Sequence, residues 1–395
     1  MTAEAGLSAR ERLAEVLPGS ALAGAQDAAE TSILVLDAPP AVAFSLAAPL
    51  RTAGATVHCD PLRLVVVARR AALESCRAAC AAGEGVVLDE LLRAFDANRT
   101  RPAALRLRDK RLEFCDGAKV MGILNVTPDS FYDRGRYADL DVARARALEM
   151  VQLGAAVIDI GGQSYAHWNP RVGAREERER VVPVVEALVR DGLGVPLSID
   201  TFTSEVADAV LAAGADAIND CSGLSDERLP GVVARYDAAL VVMHLLGELN
   251  VRARSYEYGD ALGEIGAFLR ERTERALAAG VARDSIAIDP GLEFGKEPAT
   301  DLEILERFGD LRSLGYPILF AASRKSFIGR VFDRPARELL VPSLATAAVG
   351  IAAGASLVRV HDVAETTQLA RMLAAVRSEV RRNLPVADKM PETPT

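Results

Sequence analysis

The chain of 395 residues lacks several features that would have settled its class at once. No run reaches the roughly 18 uninterrupted apolar residues that a membrane helix needs. The first residues carry Glu4, Glu11 and Glu15 and have neither a basic start nor an apolar stretch of signal-peptide length, so neither secretion nor organelle import is expected. Positive charge is not in excess, because 46 Lys and Arg stand against 55 Asp and Glu, a net charge of -9. Nucleic acid and anionic membranes therefore meet no general basic surface, and an anionic ligand must be held by a local cluster of Arg and Lys. Cysteine is scarce: there are five, an odd number in a chain too large to need staples. Cys76 and Cys80 sit one turn apart on a predicted helix, without a second pair to complete a zinc site. Reduced thiols and a cytoplasmic location are the expectation.

What is present is material for a core. With 50% apolar and 26% charged residues, the chain can bury one large core and a smaller one. Residues 1–112 read as a small α/β domain. A capping box from Ser8 to Glu11 opens an amphipathic helix; strand-like "SILVLD", helical "AVAFSLAAPLRTAG", strand-like "ATVHC" and "RLVVVAR", and a helix around Cys76 follow. No glycine-rich phosphate loop, nucleophile elbow or ligand cluster occurs there, which leaves its role open. The run "DANRTRPA" is the linker candidate, and "LRLRDKRLEF" after it can pair as a hairpin with the next domain. Residues 386–395 are polar and proline-rich and read as a flexible tail.

Between these ends, residues 113–385 repeat one pattern: a short apolar run, a polar terminus, a loop, then a helix-period segment. The apolar runs are "VMGILN", "VIDIGG", "LSID", "AIND", "LVVMH", "IAIDPG", "ILFAASRK" and "LVRVHD". Strands too apolar to alternate, separated by helices, demand a parallel sheet covered by helices. Eight such units predict an α/β fold of the closed (β/α)8 TIM-barrel type, with an open doubly wound sheet as the alternative.

In a barrel the loops after the strands form one rim, where substrates bind. The polar strand ends are Asn125, Gln163, Asp200, Asn219 with Asp220, His244, Asp289, the trio Ser323, Arg324 and Lys325, and Arg359 with His361 and Asp362. Each has a bland reading alone: Asn219 or Asp220 capping a turn, Asp289 starting one before Pro290, Arg359 pairing with Asp362. Together they divide chemically. Asp200, Asn219, Asp289 and Lys325 offer donors and acceptors suited to a flat heterocycle with amide-like edges. Arg359, His361 and Asn125 suit an anion or its metal. Ser326 stands where the seventh strand turns into a helix, so its hydroxyl and the nearby backbone N–H groups suit a carboxylate.

The stretches "GILNVTPDSF", "IDIGGQS", "SIDT", "GADAIND", "MH", "DPGLEFGK", "SRKSFIG" and "VRVHDV", in this order, resemble dihydropteroate synthase of folate biosynthesis, from Val120 to about Val380. The resemblance implies a transferase that joins 6-hydroxymethyl-7,8-dihydropterin diphosphate to 4-aminobenzoate with Mg2+ assistance, and a homodimer. Asp200, Asn219, Asp289 and Lys325 would hold the pterin, with Arg359 over its face. Asn125 would sit at the metal and diphosphate, and Arg359 and His361 would bind the diphosphate. Lys325, Ser326 and Phe294 would border 4-aminobenzoate, and Thr127, Pro128 and Asp129 would belong to a first loop that closes over the cation. Lys325, Asp200, Arg359 and His361 would carry the catalysis.

The second loop departs from the family's usual "ESTRPG" and reads "QSYAHWNPRVG". Tyr165, His167 and the single Trp168 replace the usual Thr and Arg, with Arg171 the candidate substitute. "MHLLGELN" lacks the usual proline, and "YDRG" stands for "SDGG". These changes fall on the acceptor side, whereas the pterin side is intact. The alternatives are a pterin-binding paralogue without synthase activity and a transferase using another aryl amine.

Overall fold

The computed structural model describes residues 31–37, 40–59, 63–79, 88–89, 91–92, 102–126, 140–163, 171–247, 249 and 256–377. The helix opened by Ser8, Cys80, Thr127 with the rest of the first loop, Tyr165, His167 and Trp168 of the second, and the tail lie outside the described residues. The chain divides into two compact units. One is Met1–Arg101 with Arg312–Gly315, and the other is Pro102–Leu311 with Tyr316–Thr395.

The first unit holds strands β1 (Thr31–Asp37), β2 (Thr56–Cys59) and β3 (Arg63–Arg69), with helices α1 (Pro40–Thr52) and α2 (Arg70–Ala79). The sheet order is β1-β3-β2 and both pairings are antiparallel. Its core gathers Leu46, Leu50, Val66, Leu73, Leu88 and Leu91. Cys76 is buried in this core.

The second unit begins with the hairpin β4 (Ala104–Leu107) and β5 (Lys110–Glu113), paired antiparallel. The unit boundary thus falls at Arg101, before the hairpin rather than within its second strand at 112. The physical reason is that Leu105, Leu107, Leu112 and Phe114 share one core with residues of the barrel strands. Eight strands follow: β6 (Lys119–Asn125), β7 (Val157–Gly161), β8 (Leu197–Asp200), β9 (Ala217–Asp220), β10 (Ala239–Met243), β11 (Ile286–Asp289), β12 (Leu319–Phe320) and β13 (Leu357–Val360). They pair in parallel in the order β11-β10-β9-β8-β7-β6-β13-β12. Between β11 and β12 the ring is completed by the Ile288–Ile318 bridge, where the Ile288 N–H donates to Pro317 C=O at 2.9 Å. The expected eight-stranded barrel is what forms.

Helices α3 (Leu140–Gln152), α4 (Ala174–Arg190), α5 (Ser204–Ala212), α6 (Leu229–Arg235), α7 (Ala261–Ala278), α8 (Pro298–Glu306), α9 (Ser326–Phe332), α10 (Leu340–Ala353) and α11 (Val363–Arg377) alternate with the strands. Three of them start for a visible local reason. In α7, Asp260 caps by accepting from Gly263 N–H at 3.3 Å, while Glu264 reaches back to Gly259 N–H at 2.7 Å. In α6 and α8 a proline fills the first turn, where an N–H has no helical partner to lose.

The period-two alternation of strands sorts the interior into two layers. Near the strand starts, Met121, Val157, Ala217, Val241, Ala287 and Leu357 meet the hairpin leucines in one apolar plug. Two residues further along the same faces come Ile123, Asp159, Asn219, Met243, Asp289 and Arg359. The plug is also pinned by charge: Arg106 forks onto Asp237 at 2.6 and 2.9 Å, and Lys110 reaches buried Asp216 at 2.7 Å. Leu107 is 1% exposed, and its truncation in Leu107→Ala is expected to cost the barrel about 2–5 kcal/mol in urea unfolding.

Candidate active site

The ladder fixes which polar ends stand level. Asn125 is opposite Gly161, Gly161 opposite Asp200, and Asp200 opposite Asn219. A methyl group on Gly161 would come within 3.1 Å of Asn125 Oδ1, so glycine leaves room for that amide. Met243 on the next strand is opposite Asp289, and Arg359 stands on β13.

Arg359 organises the middle. Its Nε donates to Asp159 Oδ2 and its Nη2 to Asp200 Oδ2, both at 2.6 Å. Burial alone would loosen its proton, yet the Asp159 and Asp200 carboxylates overcome this and hold the guanidinium charged above the usual Arg range. Asn219 Nδ2 also donates to Asp159 Oδ2, at 3.2 Å, and the Cys221 thiol donates to Asp200 Oδ1 at 3.1 Å. Burial, followed by the neighbouring Asp200, pushes that thiol well above its ordinary range, so it acts as a donor. Asp159 and Cys221 were not singled out from sequence. Asp159 lies inside the apolar run "VIDIGG", and its signal was the alternation that places it on the same face as Gly161.

On the opposite arc, Asp289 Oδ1 accepts from Gly291 N–H at 2.7 Å, the turn foreseen before Pro290. Burial raises the Asp289 carboxyl, against the pull of Lys325, Gly291 N–H, Lys296 and Arg359. Lys325 Nζ donates to Leu292 C=O at 2.7 Å and lies 4.8 Å from the centre of the Phe294 ring. Ser326 is already engaged: its N–H donates to Glu293 Oε1 at 3.0 Å, and its hydroxyl donates to the same oxygen.

The last strand end is tied to the seventh. Arg324 forks onto Asp362 at 2.6 and 2.8 Å, so Asp362 is paired with Arg324 and not with Arg359 as the bland reading had it. His361 N–H donates to Ser323 Oγ at 3.2 Å, and that hydroxyl faces His361 Nδ1 at 3.1 Å. A neutral ring that accepts from Ser323 at Nδ1 carries its proton on Nε2. Burial, then the charges of Arg359 and Arg324, lowers His361 to about 3, so it meets an anion as a neutral donor.

Three further strand-end residues have other work. Asp220 caps its turn, accepting from Ser222 N–H at 3.0 Å and Leu224 N–H at 2.5 Å. His244 is buried edge-on to Phe268 at 4.8 Å and faces Lys296 Nζ at 3.0 Å; burial and that ammonium lower it to about 2. Lys296 also donates to Gly291 C=O at 2.7 Å and Phe294 C=O at 3.0 Å, holding the loop after β11 from beneath. Gly291 is irreplaceable there, since its φ is +68° and an added Cβ would lie 2.1 Å from His244 C=O. Gln163 Nε2 donates to buried Glu177 Oε2 at 2.9 Å. Arg171 lies over the Phe202 ring at 4.7 Å.

The profile of the pterin-binding enzymes matches residues 121–361. This chain belongs to that family. Dihydropteroate synthase of Bacillus subtilis is 41% identical over 278 residues, 70% of this chain and 92% of that protein. The Synechocystis dihydropteroate synthase is 41% identical over 259 residues, 65% of this chain and 89% of that one. Among solved structures, Burkholderia cenocepacia dihydropteroate synthase complexed with 7,8-dihydropteroate superposes with a TM-score of 0.65 at 39% identity, covering 72% of this chain and 99% of that chain. The Xanthomonas albilineans enzyme with 4-aminobenzoic acid gives 0.65 at 38%, covering 71% and 99%. No helix among the described residues is long and apolar enough to cross a membrane.

Two outcomes are expected. Asp159→Ala removes the acceptor of Arg359 Nε and of Asn219 Nδ2 and leaves both donors unmatched, at a cost on the order of 2–3 kcal/mol in chemical denaturation. Glu177 is pushed up to about 7 by burial, from an ordinary value of 4.5. Because the folded form keeps a proton that the unfolded chain releases, stability is greatest below 4.5 and declines as pH rises through 7. Glu177→Gln should therefore stabilise the protein by on the order of 2–3 kcal/mol at pH 8 and by almost nothing at pH 4.5.

Proposed function

We propose that this barrel is a dihydropteroate synthase, condensing 6-hydroxymethyl-7,8-dihydropterin diphosphate with 4-aminobenzoate to give dihydropteroate and pyrophosphate. The observation that carries the reading is the hydrogen-bonded cluster of Asp159, Asp200, Asn219 and Arg359 at the barrel mouth. Asp200, Asn219, Asp289 and Lys325 would take the pterin edges, with the flat Arg359 guanidinium beside its ring. The 4-aminobenzoate ring would lie against Phe294 and Lys325, near Ser326.

The residues supply no covalent nucleophile, and the reaction does not need one. As the carbon–oxygen bond to the diphosphate stretches, negative charge grows on the leaving group and positive charge on the pterin methylene. Arg359 and the neutral His361 Nε2–H stabilise the first. Asp200 and Asp289 stabilise the second, and a carboxyl whose burial penalises its own charge gains most from a cation arriving beside it. The amine then needs only alignment. No group of three or more His, Cys, Asp or Glu among the described residues forms a cage for a metal ion. Mg2+ does not require one, since it takes one or two protein oxygens and completes its shell with phosphate and water. Asn125 Oδ1 at the strand rim fits that demand, and Mg2+ held there with the diphosphate would neutralise leaving-group charge. Thr127 would join it from the first loop. A cytoplasmic homodimer completes the reading. Val331, Phe332, Val341, Val349 and Met372 on α9, α10 and α11 are the exposed apolar side chains that a second copy would cover.

The test is direct. Purified protein with the pterin diphosphate, Mg2+ and 4-aminobenzoate should release dihydropteroate and pyrophosphate in equal amounts. Lys325→Ala and Asp289→Asn should each weaken pterin binding at least about tenfold, and wild-type affinity in either would refute the pocket.

A further inference from the structure

The pairing of β12 with β13 does not end where its backbone ladder does. Leu319 is opposite Leu357 and Phe320 opposite Val358, an offset of 38 residues. Past these pairs the same offset joins Ser323 to His361 and Arg324 to Asp362, and side chains now make the bonds. The Arg324 rung is rigid. Its Nε and Nη2 fork onto Asp362, its Nη1 donates to Ala336 C=O at 2.9 Å and Arg337 C=O at 3.1 Å, and its backbone N–H donates to Ser343 Oγ at 2.9 Å. Its φ is +58°, a left-handed backbone that a non-glycine residue keeps only where its surroundings impose it. The preceding residue, Ser323, is therefore presented to His361 in place.

On the Ser323 rung one hydroxyl meets one histidine twice. Its oxygen accepts the His361 N–H at 3.2 Å, which leaves its own proton for Nδ1, 3.1 Å away. The ring needs such a guide. Burial, then the charges of Arg359, Arg324, Arg146 and Lys325, keeps it neutral, and a neutral imidazole has two tautomers and two ring orientations to choose from. We infer that Ser323 is a positioning residue for the leaving diphosphate: it fixes the tautomer and orientation of His361, so that the ring's one N–H, on Nε2, is set before the anion arrives. The inference rests on the synthase reading above, in which His361 meets the diphosphate. Without the hydroxyl, the anion itself would have to order the ring, and affinity would fall accordingly. The groups proposed for the pterin edges and the acceptor ring are other residues, and this effect does not reach them.

The full-length protein, Ser323→Ala and Ser323→Thr are to be compared by NMR of the ring nitrogens, which four histidines in the whole chain leave uncrowded. In the wild type, His361 should carry its proton on Nε2 and show Nδ1 as a bonded acceptor at neutral pH. In Ser323→Ala the Nδ1 signal should move to that of an unbonded ring nitrogen, and Ser323→Thr, which keeps the hydroxyl, should restore it. Calorimetric titration with pyrophosphate and Mg2+ should show binding about fivefold weaker in the alanine variant and within about twofold of wild type in the threonine variant. 6-Hydroxymethylpterin, which has no diphosphate, should bind all three proteins within about twofold, and under turnover the KM should rise about fivefold for the pterin diphosphate but stay within about twofold for 4-aminobenzoate. An alanine variant with an unchanged Nδ1 signal or unchanged pyrophosphate affinity would overturn the assignment. So would a wild-type His361 protonated on Nδ1, a result that needs no variant to fold. A wild-type protein that forms no dihydropteroate would sink the synthase reading, and the spectra would still decide whether Ser323 sets the His361 ring.

Discussion

A guanidinium held inside a barrel by two carboxylates is the constraint on which the rest of the mouth depends. Burial works against the charge of Arg359, and Asp159 and Asp200, each bonded to it at 2.6 Å, more than restore it. Strand register supplies the distances: Asp159 lies opposite Ile123 and Ser198, and Asp200 opposite Gly161 and Asn219, so both acids face the same cation from neighbouring strands. Asn219 and Cys221 then take up remaining acceptor capacity. Two carboxylates against one guanidinium leave that arc with a negative remainder. Asp289 is on the facing arc with Lys325 nearby, so the floor of the mouth suits a ring that becomes cationic, and its edge suits departing anions.

The barrel could be read in the sequence because its physics is repetitive. Buried parallel strands need unbroken apolar runs, and their covering helices need the longer period between them. The strand-end set was legible for the same reason: polar groups at the finish of apolar runs have no packing motive. What escaped was whatever depended on facing direction or on distant loops. Asn219 and Asp220 are adjacent polar residues, but alternation turns one toward Asp159 and leaves the other to cap a turn. Asp159 was hidden inside a run by its apolar neighbours. Asp362 follows Arg359 closely in sequence, yet it serves Arg324, whose left-handed backbone turns the seventh loop back toward it. Glu293 gave no local signal, since its partner Ser326 is 33 residues away.

The two sides of the mouth are also built differently. Asp159, Asp200, Asn219, Asp289 and Arg359 are strand residues, placed by the ladder itself. Glu293 and Phe294 are loop residues, and their loop stays in place through buried polar anchors: Lys296 against His244, and Asp301 against Glu293 N–H. Burial pushes the Lys296 ammonium downward and the Asp301 carboxyl upward, a sign that both are kept away from water to secure one short loop. Loops secured in this way can change sequence without disturbing the barrel.

The leucine hairpin under the strands gives the barrel a floor. A well with a floor has one opening, so whatever reaches Asp159 and Asn219 passes the strand ends on its way.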